Sequence, residues 1–209
     1  MFLSTVMLLN LGMLRNLGML RVLLALCALS VVGVARADWV LDGESSRVSF
    51  VSSKSGSRAE VSRFLGLKGE VEADGQAQLR VELESVSSGI PKRDELLRKD
   101  LFEISRFPLA LIGTRLDLPS LLNLAPGAQL ELNVPLTVKL HGQVSDHLVE
   151  LLVTRLDEQR FQVVTLAPLV LQAEDYDLLP GLEKLRQLAN LSQINSAVPV
   201  SAVLIFVNR

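Results

Sequence analysis

The sequence predicts an all-β domain: an antiparallel sheet of about eight strands, closed into a barrel or folded into a two-layer sandwich, with one or two short capping helices. Three observations predict it. Apolar and polar residues alternate with period two through most of the chain after Asp38. Turn signals such as Asp74-Gly75, Pro126-Gly127 and Asp157-Glu158 separate the alternating runs. Two segments, Pro91 to Glu103 and Gly181 to Leu191, show helical spacing instead.

The first element is a leader. From Arg21 the chain runs through an apolar stretch, Val22 to Ala35, and ends Ala35-Arg36-Ala37 before Asp38. Positive charge, a short apolar core and a small-x-small site form the pattern of a signal peptide, residues 1–37, cleaved after Ala37 for export to the periplasm. About 14 apolar residues fall short of the roughly 20 that a membrane-crossing helix needs. An uncleaved N-terminal anchor is the alternative, because Met1 to Leu20 is also apolar. Asn10 to Arg15 is repeated at once as Asn16 to Arg21, a duplication that places a translation start at Met13 or Met19 within reach. The single cysteine, Cys27, lies in the leader, so residues 38–209 form no disulfide. Leu26 stands where a lipid-attachment site wants a small residue, which argues against an acyl anchor.

The domain is then residues 38–209, long enough for one core. Three leader arginines leave 18 of the 21 basic residues against 23 acidic ones, a net −5. A mildly acidic surface argues against nucleic acid as a partner, since that needs clustered Lys and Arg to displace counterions.

The expected strands follow in order: Arg47 to Ser53, Leu67 to Ala73, Ala77 to Glu84, Phe107 to Leu118, Ala128 to Gly142, Leu148 to Leu156, Arg160 to Leu171 and Val198 to Val207. The clearest is Ala128 to Gly142, where Leu130, Leu132, Val134, Leu136, Val138 and Leu140 alternate with polar residues and leave one dry face. Pro135 removes a ladder donor there and predicts a bulge or a free edge. Pro91 suits the first turn of the first helix, and Leu182, Leu185 and Leu188 form the dry side of the second. His141 and His147, the two histidines, are expected at the surface.

One block is more particular. Gly89-Ile90-Pro91-Lys92-Arg93-Asp94-Glu95-Leu96-Leu97-Arg98-Lys99-Asp100-Leu101-Phe102 and its continuation to Phe107-Pro108 resemble the hallmark of the YceI-like family, with its Arg-Asp pair, Leu-Arg step, Phe and aromatic-Pro. Trp39 to Asp42 with Ser46 and Phe50, Phe64 to Gly69, and Leu136 to Gly142 follow in the family's order. The resemblance implies a periplasmic, lipocalin-like barrel whose apolar tunnel holds a polyisoprenoid or an isoprenoid quinone as ligand. It requires no cofactor. The expected partner is an isoprenoid lipid, with a transient inner-membrane protein as a further one, in a monomer or homodimer. The chain departs from the pattern at Leu101, where the family usually has an aromatic, and in a longer, more helical segment from Ala173 to Leu191 that could reshape the mouth.

Ligand-wall candidates are Phe50, Phe64, Phe102, Phe107, Leu132, Leu136 and Leu140. Burying an apolar tail is worth about 0.8 kcal/mol per methylene, so such a wall needs no specific polar contact. Arg93, Asp94 and Arg98 are candidates for the mouth and a head group; equally, Asp94 could stabilise its helix's first turn while the arginines bind strand-end carbonyls. Two other functions compete. A barrel filled by its own side chains would act through its surface as a protein-interaction module. An enzyme, hydrolase-like, would need a nucleophile or metal motif, and no His-Glu-x-x-His, Cys-His pairing or Gly-x-Ser-x-Gly occurs, so catalytic and metal residues are expected to be none.

Overall fold

A computed structural model describes residues 37–54 and 58–209, which leaves the leader and its tandem repeat outside the described residues. Twelve strands among them make one sheet: β1 (Ala37–Leu41), β2 (Arg47–Lys54), β3 (Arg58–Phe64), β4 (Leu67–Glu72), β5 (Gln76–Glu82), β6 (Val86–Ser87), β7 (Leu109–Arg115), β8 (Gln129–Leu140), β9 (Gln143–Arg155), β10 (Arg160–Thr165), β11 (Leu169–Gln172) and β12 (Ala197–Asn208). Four pairs of these are the halves of kinked strands. β1 and β2 lie along one edge of β12, and β10 and β11 along the other. β4 and β3 follow beside β1 and β2, and β5 and β6 beside those. Counted this way there are eight antiparallel strands, each next to its neighbour in sequence, and the β1–β12 pairing closes the ring. Closure removes the sheet edges that an open sandwich would leave unpaired.

Local chemistry sets the kinks. Between β1 and β2 the Asp42 carboxylate accepts from the backbone N–H of Glu44 and Ser45. The buried Ser46 hydroxyl donates to the Asp42 carbonyl at 2.6 Å and accepts from Ile205 N–H at 3.0 Å, tying the bend to β12. Between β10 and β11 the break falls at Leu166 to Pro168, where proline cannot donate to a ladder.

β8 alternates as its sequence predicts, polar side chains out and Leu132 to Leu140 in. Pro135 resolves as a free edge. The Thr114 hydroxyl donates to the Pro135 carbonyl at 2.7 Å, so the missing N–H faces the same side, and the β7–β8 ladder stops at Gly113 and Thr137. Below that point a short helix, α2 (Leu118–Leu122), enters instead, with Leu118 and Leu121 buried. The strand expected from Phe107 to Leu118 is therefore present but shorter, Leu109–Arg115, and Pro119 opens the helix that follows.

The two expected helices are present. α1 (Pro91–Leu96) runs into a wider π turn, Leu97–Leu101, and α3 (Leu179–Leu188) follows a 3-10 turn, Ala173–Tyr176. They pack together at the end of the barrel reached by Lys54 and Leu140, and Gly181 marks the contact. A Cβ there would lie 2.7 Å from the Asp100 carbonyl oxygen, so only glycine lets the two backbones approach. Lys184 adds an ion pair to Asp100 at 2.6 Å. At the opposite end Trp39 meets Phe161 edge-on at 4.9 Å and, with Val71, Leu118 and Leu121, forms a floor.

His141 is largely buried, contrary to the expectation of a surface group, and His147 is half-buried. His141 opens the β8–β9 turn with φ of 51°, followed by Gly142 at 83°, and its side chain is only 10% exposed. Phe107 covers its ring at 4.4 Å. Its Nδ1 lies 3.1 Å from the Tyr176 carbonyl, and His147 Nε2 lies 2.7 Å from the Tyr176 hydroxyl. Alternation fails at His141 because the strand has already turned.

Candidate functional site

Inward-facing side chains of a filled barrel would be fully buried. Leu79, Ile112, Leu136, Leu204 and Phe206 point inward and are only half-buried, because they face empty space. That space forms two chambers. The lower, about 200 Å³, lies above the Trp39–Phe161 floor and is walled by residues such as Leu79, Leu132, Leu136, Leu151, Leu204 and Phe206. Among the described residues, no charged one lines it. The upper, about 410 Å³, lies beneath α1 and α3 and is walled by Phe50, Phe64, Leu97, Phe102, Leu140 and Leu182 among others. Val48, Ile112, Val138, Leu169 and Val200 line both, and so form the waist where the chambers meet. β8, twelve residues long, spans the barrel. At about 3.3 Å per residue and a tilt near 40°, the tube is roughly 30 Å long. The filled-barrel reading does not fit this interior.

The wall candidates divide accordingly. Phe50, Phe64, Phe102 and Leu140 face the upper chamber, the three rings touching in series at 5.5 and 5.8 Å, while Leu132 and Leu136 face the lower. Phe107 faces neither: it packs on His141, and the Arg106 guanidinium lies 4.9 Å from its ring centroid. Leu101, the departure from the family pattern, lines the upper chamber and is buried.

At the mouth, Arg93 lines the upper chamber. Its Nε and Nη2 donate to the Ser88 hydroxyl and carbonyl at 2.8 and 2.9 Å, and Nη1 donates to Glu60. Asp94 stands behind the wall, buried, accepting from the Ser88 N–H at 2.8 Å and from its hydroxyl. It therefore holds the start of α1, the structural alternative for this residue. Arg98 reaches the Glu84 carbonyl at 3.4 Å, away from the chamber. Sequence reasoning missed Lys54 and Glu60. Lys54 lines the chamber and donates to Glu60, whose carboxyl is held below its ordinary value first by that hydrogen bond and further by the charges of Lys54 and Arg93.

A family model described as a YceI-like domain matches residues 39–206. The chain belongs to the YceI-like family. Among solved structures, this YceI-like chain is similar to a polyisoprenoid binding domain from Saccharophagus degradans implicated in plant cell wall breakdown. The two are 36% identical over 83% of this chain and all of that one, with a TM-score of 0.82. BcnA of Burkholderia cenocepacia shares the fold at 19% identity, over 79% of this chain and 98% of that one, with a TM-score of 0.63. Among curated proteins nothing matches.

Proposed function

We propose that this YceI-like protein is a periplasmic binding protein that holds one isoprenoid-type lipid, a polyisoprenoid or isoprenoid quinone, along its barrel axis for carriage or storage. The observation that carries the reading is the tunnel itself. Two apolar chambers joined at a waist suit a long, thin, flexible chain better than a compact ligand. Its walls are leucine, valine and isoleucine over most of their length, so affinity comes from apolar burial at about 25 cal/mol per Å² and selectivity from chain shape and length. The relative that is 36% identical is described as polyisoprenoid binding, which supports the same ligand class here. The leader pattern supports the periplasmic setting.

Native mass spectrometry of the protein purified from the periplasm, followed by organic extraction and lipid analysis, tests this directly. A stoichiometric isoprenoid or quinone establishes the binding reading. A clean unliganded mass, unchanged after incubation with quinones and polyprenyl lipids, overturns it.

A further inference from the structure

The inner face of the β2–β3 hairpin changes character over a few residues. Along β2 the inward side chains run Val48, Phe50, Ser52, Lys54, all lining the upper chamber. On β3, register sets Phe64 opposite Val48, Ser62 opposite Phe50 and Glu60 opposite Ser52, so Phe, Ser and Glu climb the same wall. Two residues of strand rise by about 6.6 Å, so the surface passes from aromatic through hydroxyl to charged within roughly 13 Å. Gln172 and Asn195 add amides to the chamber lining. Its charged residues are Lys54, Lys92 and Arg93, all cations. Of the two nearby carboxylates, Asp94 is turned onto Ser88, and Glu60, at the top of the same wall, is held between Lys54 and Arg93. The side chains of Lys54 and Arg93 are only about a fifth exposed, at 20% and 21%.

We propose that the upper chamber is an acidic head-group site, in which Lys54 and Arg93 receive the oxyanion of a lipid whose tail fills the tunnel. The inference rests on the lipid-binding reading and adds the head group to it. Lys54 has three N–H donors and Arg93 five. Among the described residues, Glu60 and Ser88 take one donor of Lys54 and three of Arg93, so both keep donors for a phosphate or carboxylate. Glu60 acts as a stand-in anion: it holds the two cations together while no ligand is bound and gives them up when an oxyanion arrives. Arg93 presents a planar fork that its two bonds to Ser88 pre-orient, the geometry that recognises oxyanions in pairs of hydrogen bonds.

The test compares tail-matched lipids on the purified, delipidated protein by native mass spectrometry titration: geranylgeranyl phosphate against geranylgeraniol, and oleate against oleyl alcohol. Charge-assisted hydrogen bonds predict a preference of about tenfold or more for the charged member of a pair. Preference within the first pair assigns a phosphate, and within the second a carboxylate. In Lys54→Gln the ratio falls toward one, and in Glu60→Gln it rises, because the competing carboxylate is gone. Equal affinity for charged and neutral members in the native protein overturns the head-group site while leaving the tunnel reading intact. Failure of all four lipids to bind overturns both.

Discussion

At the scale of single residues, the waist and the Tyr176 cluster give separable outcomes. Ile112 lines both chambers. Ile112→Trp places an indole in the constriction, where space rather than packed neighbours receives it, so the usual 1–3 kcal/mol of overpacking strain shrinks to about 1 kcal/mol or less. The expected result is a near-native urea midpoint with long-chain lipid excluded, read by denaturation and by the lipid content of the purified variant. Tyr176 is the opposite case, with no exposed surface and its hydroxyl bonded to His147. Tyr176→Phe should cost about 1 kcal/mol in urea denaturation. Burial raises the phenol's pKa, so the folded state keeps its proton where the unfolded chain loses it. Stability is therefore undiminished below the ordinary tyrosine range and declines as pH climbs through it.

At the scale of elements, α3 covers the upper chamber, which it lines with Leu182 and Leu185. It meets the π turn through Gly181 and through Lys184 on Asp100, and none of its residues is fully buried. Gly181→Ala drives a methyl toward the Asp100 carbonyl, so α3 should lift. Hydrogen exchange across Leu179–Leu188 and the rate of lipid release should both rise, while the β8–β9 ladder stays protected. The helix carries its own acid-stable brace. The Glu183 carboxyl is pushed down to about 2 by hydrogen bonds from Arg186 and Gln187. A lowered value means that the contact is present above the ordinary carboxylate range and is lost only as pH falls toward 2. An NMR titration should place the Glu183 midpoint near 2 and, in Arg186→Gln, closer to an ordinary glutamate. Which elements the sequence revealed follows from how locally each is encoded. β8 was legible because six inward side chains alternate within one segment. β3 was not, because Glu60 and Ser62 put polar groups on its inward face and erase the alternation. α2 was hidden in Leu-Pro-Ser-Leu-Leu, whose apolar content reads equally as the end of a strand. Within the site, Arg93 could be singled out from its motif. Its partner Glu60 lies 33 residues away, and only the β2–β3 hairpin brings them together.

At the scale of the molecule, the barrel and the lipid proposed for it would share one stability. A lipid that binds only the folded state stabilises it by RT ln(1 + [L]/Kd), about 2.7 kcal/mol at a hundred times Kd. For a domain of this size that is a rise of roughly 5–10 °C in melting midpoint. Calorimetry with and without a polyprenyl lipid should show that shift in the native protein and not in Ile112→Trp.

The hollow interior also has a consequence beyond binding. Leu79, Ile112, Leu136, Leu204 and Phe206 lack partner atoms across the empty space, so a lipid bound as proposed would be in effect a supplied part of the core. An unfilled barrel opens more often and is cut sooner by resident proteases. On the proposed function, the amount of this protein would then track the lipid available to it, and turnover alone would make its abundance a gauge of lipid supply.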